Sequence, residues 1–431
     1  MPTTLLAGRP GCLCSLLKLL GLKKLYRKHC VCECKIQIEA IKFNHDVASF
    51  TNDALNIRKD FNTPVNVPEW TTGETQPDQS PAAYAIKETK GNVITIQAKF
   101  TIAPPAVTQA EIKAEGGGVL GALDPEIVHF VNGVSTPEFV SFKLNHHSIG
   151  TGGIKREDIA WRWKYRCPGD PVWRDMQTTN HRIYIILEAP TLPWKQQPFP
   201  DNQNPWTDAL DFACAWAAGQ TTAVGAATGV TSQVNGSLGL TYDMAQGASK
   251  YTTPMAGLTF ELTKFINYLK NGIGPGNNGN VVNCTDCGTI VTTFSNVVGC
   301  DLHASKMSSA FGFALTPIRA IGQAGFGCPN WGCSFSFHEV AWTGANGNAD
   351  PIFDACLKVD GDNDPWAAPH VELLPADIVF TSLPGAPLPL AVPFNANSYR
   401  ERLCANSNAG IGNCNSVGPW AGSNNGRRVV K

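Results

Sequence analysis

Apolar and polar residues alternate along several segments in the first half of the chain. A period of two is typical of strands that bury one face, and Gly, Pro, Asn and Asp separate the segments as turns. The predicted strands are 35–43, 92–100, 138–144, 159–165 and 182–188. This pattern predicts an all-β antiparallel sandwich over residues 35–190, for which we expect an immunoglobulin-like topology.

The pattern changes after residues 191–205, whose Pro, Gln and Asn content predicts a linker. Helical spacing follows at 207–219, with Thr207 as a candidate N-cap, and again at 258–272, and both segments end at Gly. Strands are predicted again at 310–315, 334–342 and 351–359. Helices followed by antiparallel strands are typical of an α+β domain, which we place at 206–393.

The two ends of the chain differ from both predicted domains. Residues 1–34 are rich in cysteine, and their basic charges lie inside the apolar run, which disfavours a secretory signal peptide. They predict a short amphipathic helix that docks on the protein itself or, alternatively, contacts a membrane surface. Cys30, Cys32 and Cys34 have the spacing of residues on one face of a strand. They are candidate metal ligands or, alternatively, buried or disulfide-bonded thiols. Residues 394–431 predict a loosely ordered tail rich in Asn, Ser and Gly.

Charge and cysteine content narrow the choice of partner and compartment. Charged residues make up 16% of the chain and the formal net charge is −1, so we expect no nucleic-acid partner. No apolar run is long enough to predict a transmembrane helix, which favours a cytoplasmic protein or export without a signal. Most of the 15 cysteines are then expected to be reduced, and an exported protein would carry disulfides. The candidate pairs are Cys328 with Cys333 and Cys404 with Cys414.

A cysteine, a histidine and an aspartate in the second half form a pattern with chemical meaning. Cys284 follows Asn283, a candidate N-cap, so we expect it at a helix N-terminus, where free N–H groups and the helix dipole favour a thiolate. His338 lies on an alternating strand and can accept the thiol proton and return it to a leaving group. Asp354 lies on the next strand and can orient the imidazole. Together the three residues predict a nucleophilic site for acyl transfer.

These residues resemble the transglutaminase-like superfamily over roughly residues 206–360. Cys284, followed by a small residue four positions later and a glycine that closes the segment, is similar to the catalytic helix of that family. The histidine on one strand and the aspartate on the next follow the family's order. The further positions that carry the resemblance are Gly288, where the family usually has Ala, Gly299 and Trp342.

The resemblance implies a papain-like fold and a thioester formed on Cys284, with His338 as base and Asp354 as its orienting partner. The substrate is then a protein or peptide, and the acceptor is water or an amine, as in a protease, a deamidase or a transglutaminase. No nucleotide or flavin motif appears, so we expect no cofactor. The sequence departs from the family in the β-branched run 289–293, which has low helix propensity, and at Asn296, where members often carry Arg.

Other interpretations of the same region stay open. Cys287 is a second candidate nucleophile, one turn deeper, where the helix dipole acts more weakly. The set Cys284, Cys287, Cys300 and His303 has the spacing of a tetrahedral zinc site, which would make the region a structural zinc lobe. The region can also be a transglutaminase-like module that has lost catalysis and binds a partner.

Overall fold

The computed structural model describes residues 20–21, 34–46, 50–167, 170–196, 200–252, 259–272, 279–328, 334–344, 351–361, 368–369, 399–403, 415–419 and 426–431. These residues fold mostly into β-strands, with few helices. The strands are β1 (Lys35–Lys42), β2 (Trp70–Thr71), β3 (Pro81–Ala85), β4 (Thr95–Ala103), β5 (Gln109–Gly116), β6 (Leu123–Val131), β7 (Val134–Thr136), β8 (Val140–Lys143), β9 (Lys155–Arg166), β10 (Arg174–Ile186), β11 (Thr241–Tyr242), β12 (Thr259–Phe260), β13 (Val281–Val282), β14 (His303–Ala314), β15 (Ile318–Ala320), β16 (Ser334–Trp342), β17 (Ile352–Phe353), β18 (Leu357–Val359), β19 (Asn415–Pro419) and β20 (Val429–Val430). The helices are α1 (Ile86–Thr89), α2 (Thr207–Trp216), α3 (Ala223–Gly236), α4 (Leu262–Asn271), α5 (Cys284–Val297) and α6 (Tyr399–Leu403), with 3-10 turns at Pro77–Gln79, Gly118–Leu120 and Asp201–Gln203.

Strands β1 to β10 form one mixed sheet in the order β2-β1-β4-β7-β6-β5-β9-β10-β3, with β8 paired to β4. Its neighbours are antiparallel except β3 and β10, which pair in parallel through Pro81 with Arg182 and Ala85 with Ile186. The predicted β-rich character of this half is confirmed. An immunoglobulin-like sandwich is not confirmed, because these strands belong to one hydrogen-bonded sheet.

The sheet curls around its own core, because its strands bury alternate residues on the same side. In β4 every second residue from Ile96 to Ile102 is buried, and β9 contributes Trp161 and Trp163, which are almost fully buried. The indole N–H of Trp161 donates to the carbonyl of Gly121 at 2.9 Å. A buried indole with its N–H satisfied adds apolar contact at little polar cost.

Strand β3 and the last four residues of β10, Ile183 to Ile186, are buried on both faces and so join this core to a second one. Ala82 and Ile185 face the first core, whereas Ala83 and Ile186 belong to the second. Because both sides are buried there, the sequence of β3 and of the end of β10 is continuously apolar rather than alternating. The second core contains residues of α2, α3 and α5 and of strands β14, β16 and β17.

The predicted linker contains a tryptophan that is buried against α5. Trp194 has no exposed surface, and its indole N–H donates to the carbonyl of Thr293 in α5 at 2.9 Å. Thr191 donates its backbone N–H to the carbonyl of Asn296 at 3.1 Å. The part of this segment that the structure describes therefore packs on α5, and its place as a boundary between domains stays a prediction.

Of two predicted helix ends, the glycine end of α4 is confirmed, whereas the N-cap of α2 is wrong by one residue. The N-cap of α2 is Trp206, so the prediction of Thr207 as the cap is wrong by one residue, and no side chain caps this helix. Helix α4 ends at Gly272, which adopts the left-handed conformation at φ +67°, as the sequence predicts. No helix in the described part of the chain combines the length and the apolar character that crossing a bilayer requires.

The described cysteines are of two kinds. Cys34, directly before β1, and Cys167, directly after β9, form a disulfide. Cys328 is also disulfide-bonded, so these three cysteines depart from the expectation of reduced thiols. The reduced and buried cysteines are Cys214, Cys284, Cys287, Cys300 and Cys356. Outside the described residues lie Cys30, Cys32, Cys333, Cys404, Cys414 and the predicted N-terminal helix.

Candidate active site

Helix α5 begins at Cys284 because Asn283 caps it through a reciprocal pair of hydrogen bonds. The Asn283 side chain accepts a hydrogen bond from the Asp286 N–H at 3.0 Å, and the Asp286 carboxylate accepts from the Asn283 N–H at 3.4 Å. This reciprocal capping box confirms the predicted cap and makes Cys284 the first helical residue. The side chain of Cys284 therefore lies at the positive end of the helix dipole.

The β-branched run in α5 is helical because the helix is buried along its whole length. Every residue from Cys284 to Val297 is buried, and the helix packs against β16, α2 and α3. Thr289 satisfies its hydroxyl by donating to the carbonyl of Thr285 at 2.7 Å. Packing of this extent outweighs the few tenths of a kcal/mol that each β-branched residue costs in a helix.

Asp286 also fixes the chain that precedes the helix. Its carboxylate accepts backbone hydrogen bonds from Lys250, Tyr251 and Thr252 at 2.7, 3.0 and 2.9 Å. Burial raises the pKa of Asp286 and outweighs the hydrogen bonds, which lower it. One buried carboxylate thus holds both the helix start and residues 250–252.

His338 and Asp354 meet because two strands pair as the sequence predicts. Strands β16 and β17 are antiparallel, with Ala341 opposite Phe353. The chain turns directly after Phe353, and Asp354 Oδ2 lies 2.8 Å from His338 Nε2. Both side chains are buried.

The carboxylate of Asp354 is held by several further donors. Its Oδ1 accepts from the backbone N–H groups of Cys356 and Leu357 at 2.7 and 3.0 Å, and its Oδ2 accepts from the hydroxyl of Tyr399. Burial raises the pKa of Asp354, but the charge of His338 and these hydrogen bonds outweigh it, so that the pKa is lowered. Asp354 is therefore the negative partner of the pair.

The imidazole of His338 is held by two aromatic rings and, through Nε2, by Asp354, whereas its Nδ1 is buried without a hydrogen-bond partner among the described residues. It stacks between Phe335 and Tyr399, with ring centroids 5.6 and 6.3 Å away. Burial lowers its pKa, yet the charge of Asp354, its hydrogen bond and the interaction with Cys284 raise it to about 10. Since Nε2 binds Asp354, the buried Nδ1 is the nitrogen left for the Cys284 thiol. The structure thus pairs His338 with Asp354 through a hydrogen bond and places Cys284 near enough to raise the pKa of the imidazole.

Cys284 lines a cavity of about 260 Å³ between the start of α5 and β16. One wall is the loop 243–248, which Asp243 holds through backbone N–H groups of Ala245, Gln246 and Ala248, each at 3.1 Å. None of the described residues that line the cavity is charged; they are Tyr242, Ala245, Gln246, Gly247, Asn283, Cys284, Ser334, Phe335, Ser336 and Phe337.

Tyr242 lines the same cavity as Cys284. Its ring lies parallel to Phe335 at 6.4 Å. Burial raises its pKa, and among the neighbouring charges Cys284 acts most strongly. A buried phenol that keeps its proton is a hydrogen-bond donor at neutral pH.

The structure does not bring the alternative zinc ligands together. Cys284 and Cys287 lie in the first turn of α5, whereas Cys300 follows its last turn, about 20 Å away at 1.5 Å per residue. The Cys300 thiol donates to the carbonyl of Ala223 at 3.3 Å, and burial raises its pKa to about 12. His303 lies 3.4 Å from the guanidinium of Arg427. Cys287, the alternative nucleophile, is fully buried and is not part of the cavity lining.

Sequence reasoning missed the contribution of the chain's last residues. Arg428 forms a buried ion pair with Glu339 at 2.6 Å and also donates to Thr289 of α5 at 2.6 Å, and β20 pairs with β12. The prediction of a loosely ordered tail is therefore wrong for residues 426–431. In the sequence, the adjacent charges of Arg427 and Arg428 are the one signal that residues 426–431 contact a buried partner.

Comparisons with known proteins add little to this geometry. No family model matches the chain, and no curated protein matches it. Among solved structures, red sea bream transglutaminase matches with a TM-score of 0.33 and 11% identity, over 62% of this chain and 49% of that chain. The chain thus spans about half the length of that structure, and a likeness of this size carries no argument about activity.

Proposed function

We propose that the protein is a cysteine-dependent acyltransferase or hydrolase that works through a thioester on Cys284. The observation that carries the proposal is the buried relay in which Asp354 holds His338 at 2.8 Å while the imidazole interacts with a thiol at a helix N-terminus. A cysteine, an imidazole and a carboxylate in this order suit nucleophilic catalysis on a carbonyl.

In the proposed reaction the sulfur of Cys284, as the thiolate beside the His338 imidazolium, attacks the carbonyl carbon of an amide. The C–S bond forms as the carbonyl π electrons move to oxygen. Collapse of this intermediate expels the amine, which takes the proton of His338. The neutral imidazole then removes a proton from water or from an acceptor amine, which attacks the thioester and releases Cys284. Asp354 stabilises the imidazolium in each step.

The oxyanion of the intermediate has two donors in this proposal. The first N–H groups of α5 have no partners within the helix, and that of Cys284 is adjacent to the reacting sulfur. The hydroxyl of Tyr242, buried beside Cys284 in the same cavity, is the second. Preorganised donors of this kind supply about 3–4 kcal/mol of transition-state stabilisation each.

The cavity favours a neutral acyl group. About 260 Å³ accommodates a side-chain carboxamide or a short peptide segment, and the described lining contains no charge to pair with a carboxylate. Burying an unpaired carboxylate there would cost several kcal/mol. We therefore propose a protein or peptide substrate, with a glutamine side chain or a backbone amide as the acyl donor and water or an amine as the acceptor.

The test is the alkylation rate of Cys284 by limiting iodoacetamide at mildly acidic pH, followed by peptide mass spectrometry. A thiolate paired with His338 should react at least about tenfold faster than the same thiol in a His338→Asn variant, which keeps the cavity. Acyl transfer is then measured as ammonia release from a glutamine peptide library, with Cys284→Ala as the control. Equal alkylation rates in the two proteins, or turnover retained by Cys284→Ala, would refute the proposal.

A further inference from the structure

Three reduced thiols meet at the start of α5, and the proposed acyl transfer uses only one of them. Cys284 and Cys287 are three residues apart in the first helical turn, so their Cβ atoms lie about 5–6 Å apart on one face. Cys356 follows Asp354 in the turn between β17 and β18 and donates its N–H to that carboxylate. All three are buried and free of disulfides.

The three thiols differ in access. Cys284 lines the cavity, which opens a route for a small molecule to its sulfur. Cys287 and Cys356 have no exposed surface and are not part of the cavity lining. A thiol that lines a cavity, with a second thiol one turn behind it, is the arrangement in which oxidation stops at a disulfide.

Cys356 is the thiol that interacts with Cys287. The interaction between the two thiols lowers the pKa of Cys287 and raises that of Cys356. Burial and the neighbouring charges nevertheless leave the pKa of Cys287 raised overall. Of the two deeper sulfurs, Cys287 is the one that shares a helix face with Cys284, one turn behind it, and is therefore placed to attack an oxidised Cys284.

We propose that Cys284 and Cys287 form a reversible thiol-oxidation site for small hydroperoxides, with Cys284 as the oxidised thiol and Cys287 as the resolving thiol. The Cys284 sulfur attacks the hydroxyl oxygen of the hydroperoxide, the O–O bond breaks, and the leaving oxygen takes the proton of His338. The products are a sulfenic acid and water or an alcohol. Cys287 then attacks the sulfenic sulfur; its proton and the expelled hydroxide leave as water, and an S–S bond remains.

The geometry requires only a local adjustment. A disulfide needs Cβ atoms about 3.5–4.5 Å apart, so the first turn of α5 has to tighten by about 1–2 Å. The capping box of Asn283 and Asp286 holds both ends of this turn, so the tightening has to occur within it. A 3-10 turn, which is common at helix termini, brings the side chains at i and i+3 into line. The disulfide would remove the nucleophile reversibly and protect it from irreversible oxidation to the sulfinic acid.

The test uses the full chain exposed to a few equivalents of hydrogen peroxide, then blocked with N-ethylmaleimide and digested without reduction. We expect the peptide that contains both cysteines to lose two hydrogens and both alkylation sites, and dithiothreitol to restore them. In Cys287→Ser, Cys284 should instead accumulate as sulfinic acid that dithiothreitol does not recover. Cys356→Ser is the matched control and should still form the disulfide.

Two results would overturn the inference. One is an equal yield of sulfinic Cys284 in the wild type and in Cys287→Ser. The other is a disulfide between Cys287 and Cys356 while Cys284 stays open to alkylation. Neither measurement involves an acyl substrate, so the absence of acyl transfer would not decide this question, and failure of the disulfide would leave the acyl-transfer proposal standing.

Discussion

Glu339 and His338 are consecutive in β16, and they contact consecutive residues of α5. Glu339 accepts a hydrogen bond from Thr285 at 3.2 Å, and His338 interacts with Cys284. The Glu339 carboxylate is in turn paired with Arg428 at 2.6 Å. The register between helix and strand is thus held by a buried ion pair next to the reacting groups.

Breaking this ion pair should destabilise the protein strongly. Arg428→Met leaves the Glu339 carboxylate buried without its partner, and such losses cost about 3–5 kcal/mol. We expect a drop of this size in the free energy of unfolding measured with urea. Lys431→Ala is the matched control, because its pair with Glu261 is half-exposed and should contribute less than about 1 kcal/mol.

The double variant Arg428→Met/Glu339→Leu separates charge from shape. Replacing both partners removes the unpaired charge, so it should recover part of the stability that Arg428→Met loses. A double variant less stable than the single one would contradict the assignment of the loss to a buried charge.

Asp354→Asn should abolish most of the proposed turnover while the fold persists. The amide keeps the shape of the carboxylate but loses the charge that raises the pKa of His338. Changes of this kind in catalytic relays cost on the order of 10⁴-fold in kcat. The measurement is ammonia release from the glutamine peptide library. Tyr399→Phe, which removes one neutral donor to Asp354, should cost far less, and equal losses in the two variants would argue against a catalytic charge.

The raised pKa of His338 also predicts a pH dependence of stability. The folded pKa is about 10 and the ordinary value is 6.5, so the folded protein keeps a proton that the unfolded chain has lost. The stabilisation is complete below pH 6.5 and is lost as pH rises towards 10. Unfolding free energies of the wild type and His338→Asn should therefore converge across this window. A difference that stays constant from pH 6.5 to 10 would contradict the imidazolium form.

How much the sequence could predict depends on whether the signal is local. Asn283 before Cys284 is a cap that acts over three residues, so the helix start was predictable, as was the pairing of the His338 and Asp354 strands across a short Gly/Asn loop. The helicity of 289–293 was not, because it depends on burial on all sides. Local propensity there argues for a strand.

Contacts between residues far apart in the sequence could not be predicted, because they leave no local pattern. Arg428 meets a carboxylate 89 residues away, and Tyr399 reaches Asp354 across 45 residues. Trp194 in the predicted linker has the same character, since its partner Thr293 lies 99 residues on. The composition of these segments predicts loops. The contacts that hold them in place are each made by a single residue, and only the folded structure identifies that residue.

Gly288→Ala should stabilise the protein. Gly288 lies inside α5, and a Cβ there would lie 3.4 Å from the backbone of Val340, an ordinary contact. Alanine favours a helix interior over glycine by about 1 kcal/mol. Gly299→Ala is the control with the opposite sign, because Gly299 has φ +96° and a Cβ would lie 2.5 Å from the backbone of Glu188. Urea unfolding of both variants tests this, and a loss of stability in Gly288→Ala would mean that β16 packs more tightly on α5.

Tyr242→Phe separates the two steps in which Cys284 takes part. The variant keeps the ring that stacks on Phe335 and removes only the hydroxyl beside the thiol. Alkylation by iodoacetamide forms no oxyanion, so its rate at Cys284 should not change. Acyl transfer forms one, and loss of a donor should lower kcat by about 10²–10³-fold with little change in KM.

Tyr251→Phe is the matched control for this prediction, because its hydroxyl donates to the carbonyl of Gly279 at 2.5 Å and Tyr251 is not part of the cavity lining. It should keep full turnover, apart from any loss of stability measured separately. If Tyr242→Phe slows alkylation and acyl transfer to the same extent, the hydroxyl positions the thiol and does not stabilise the oxyanion. If it slows neither, the backbone N–H of Cys284 has to supply that stabilisation without Tyr242.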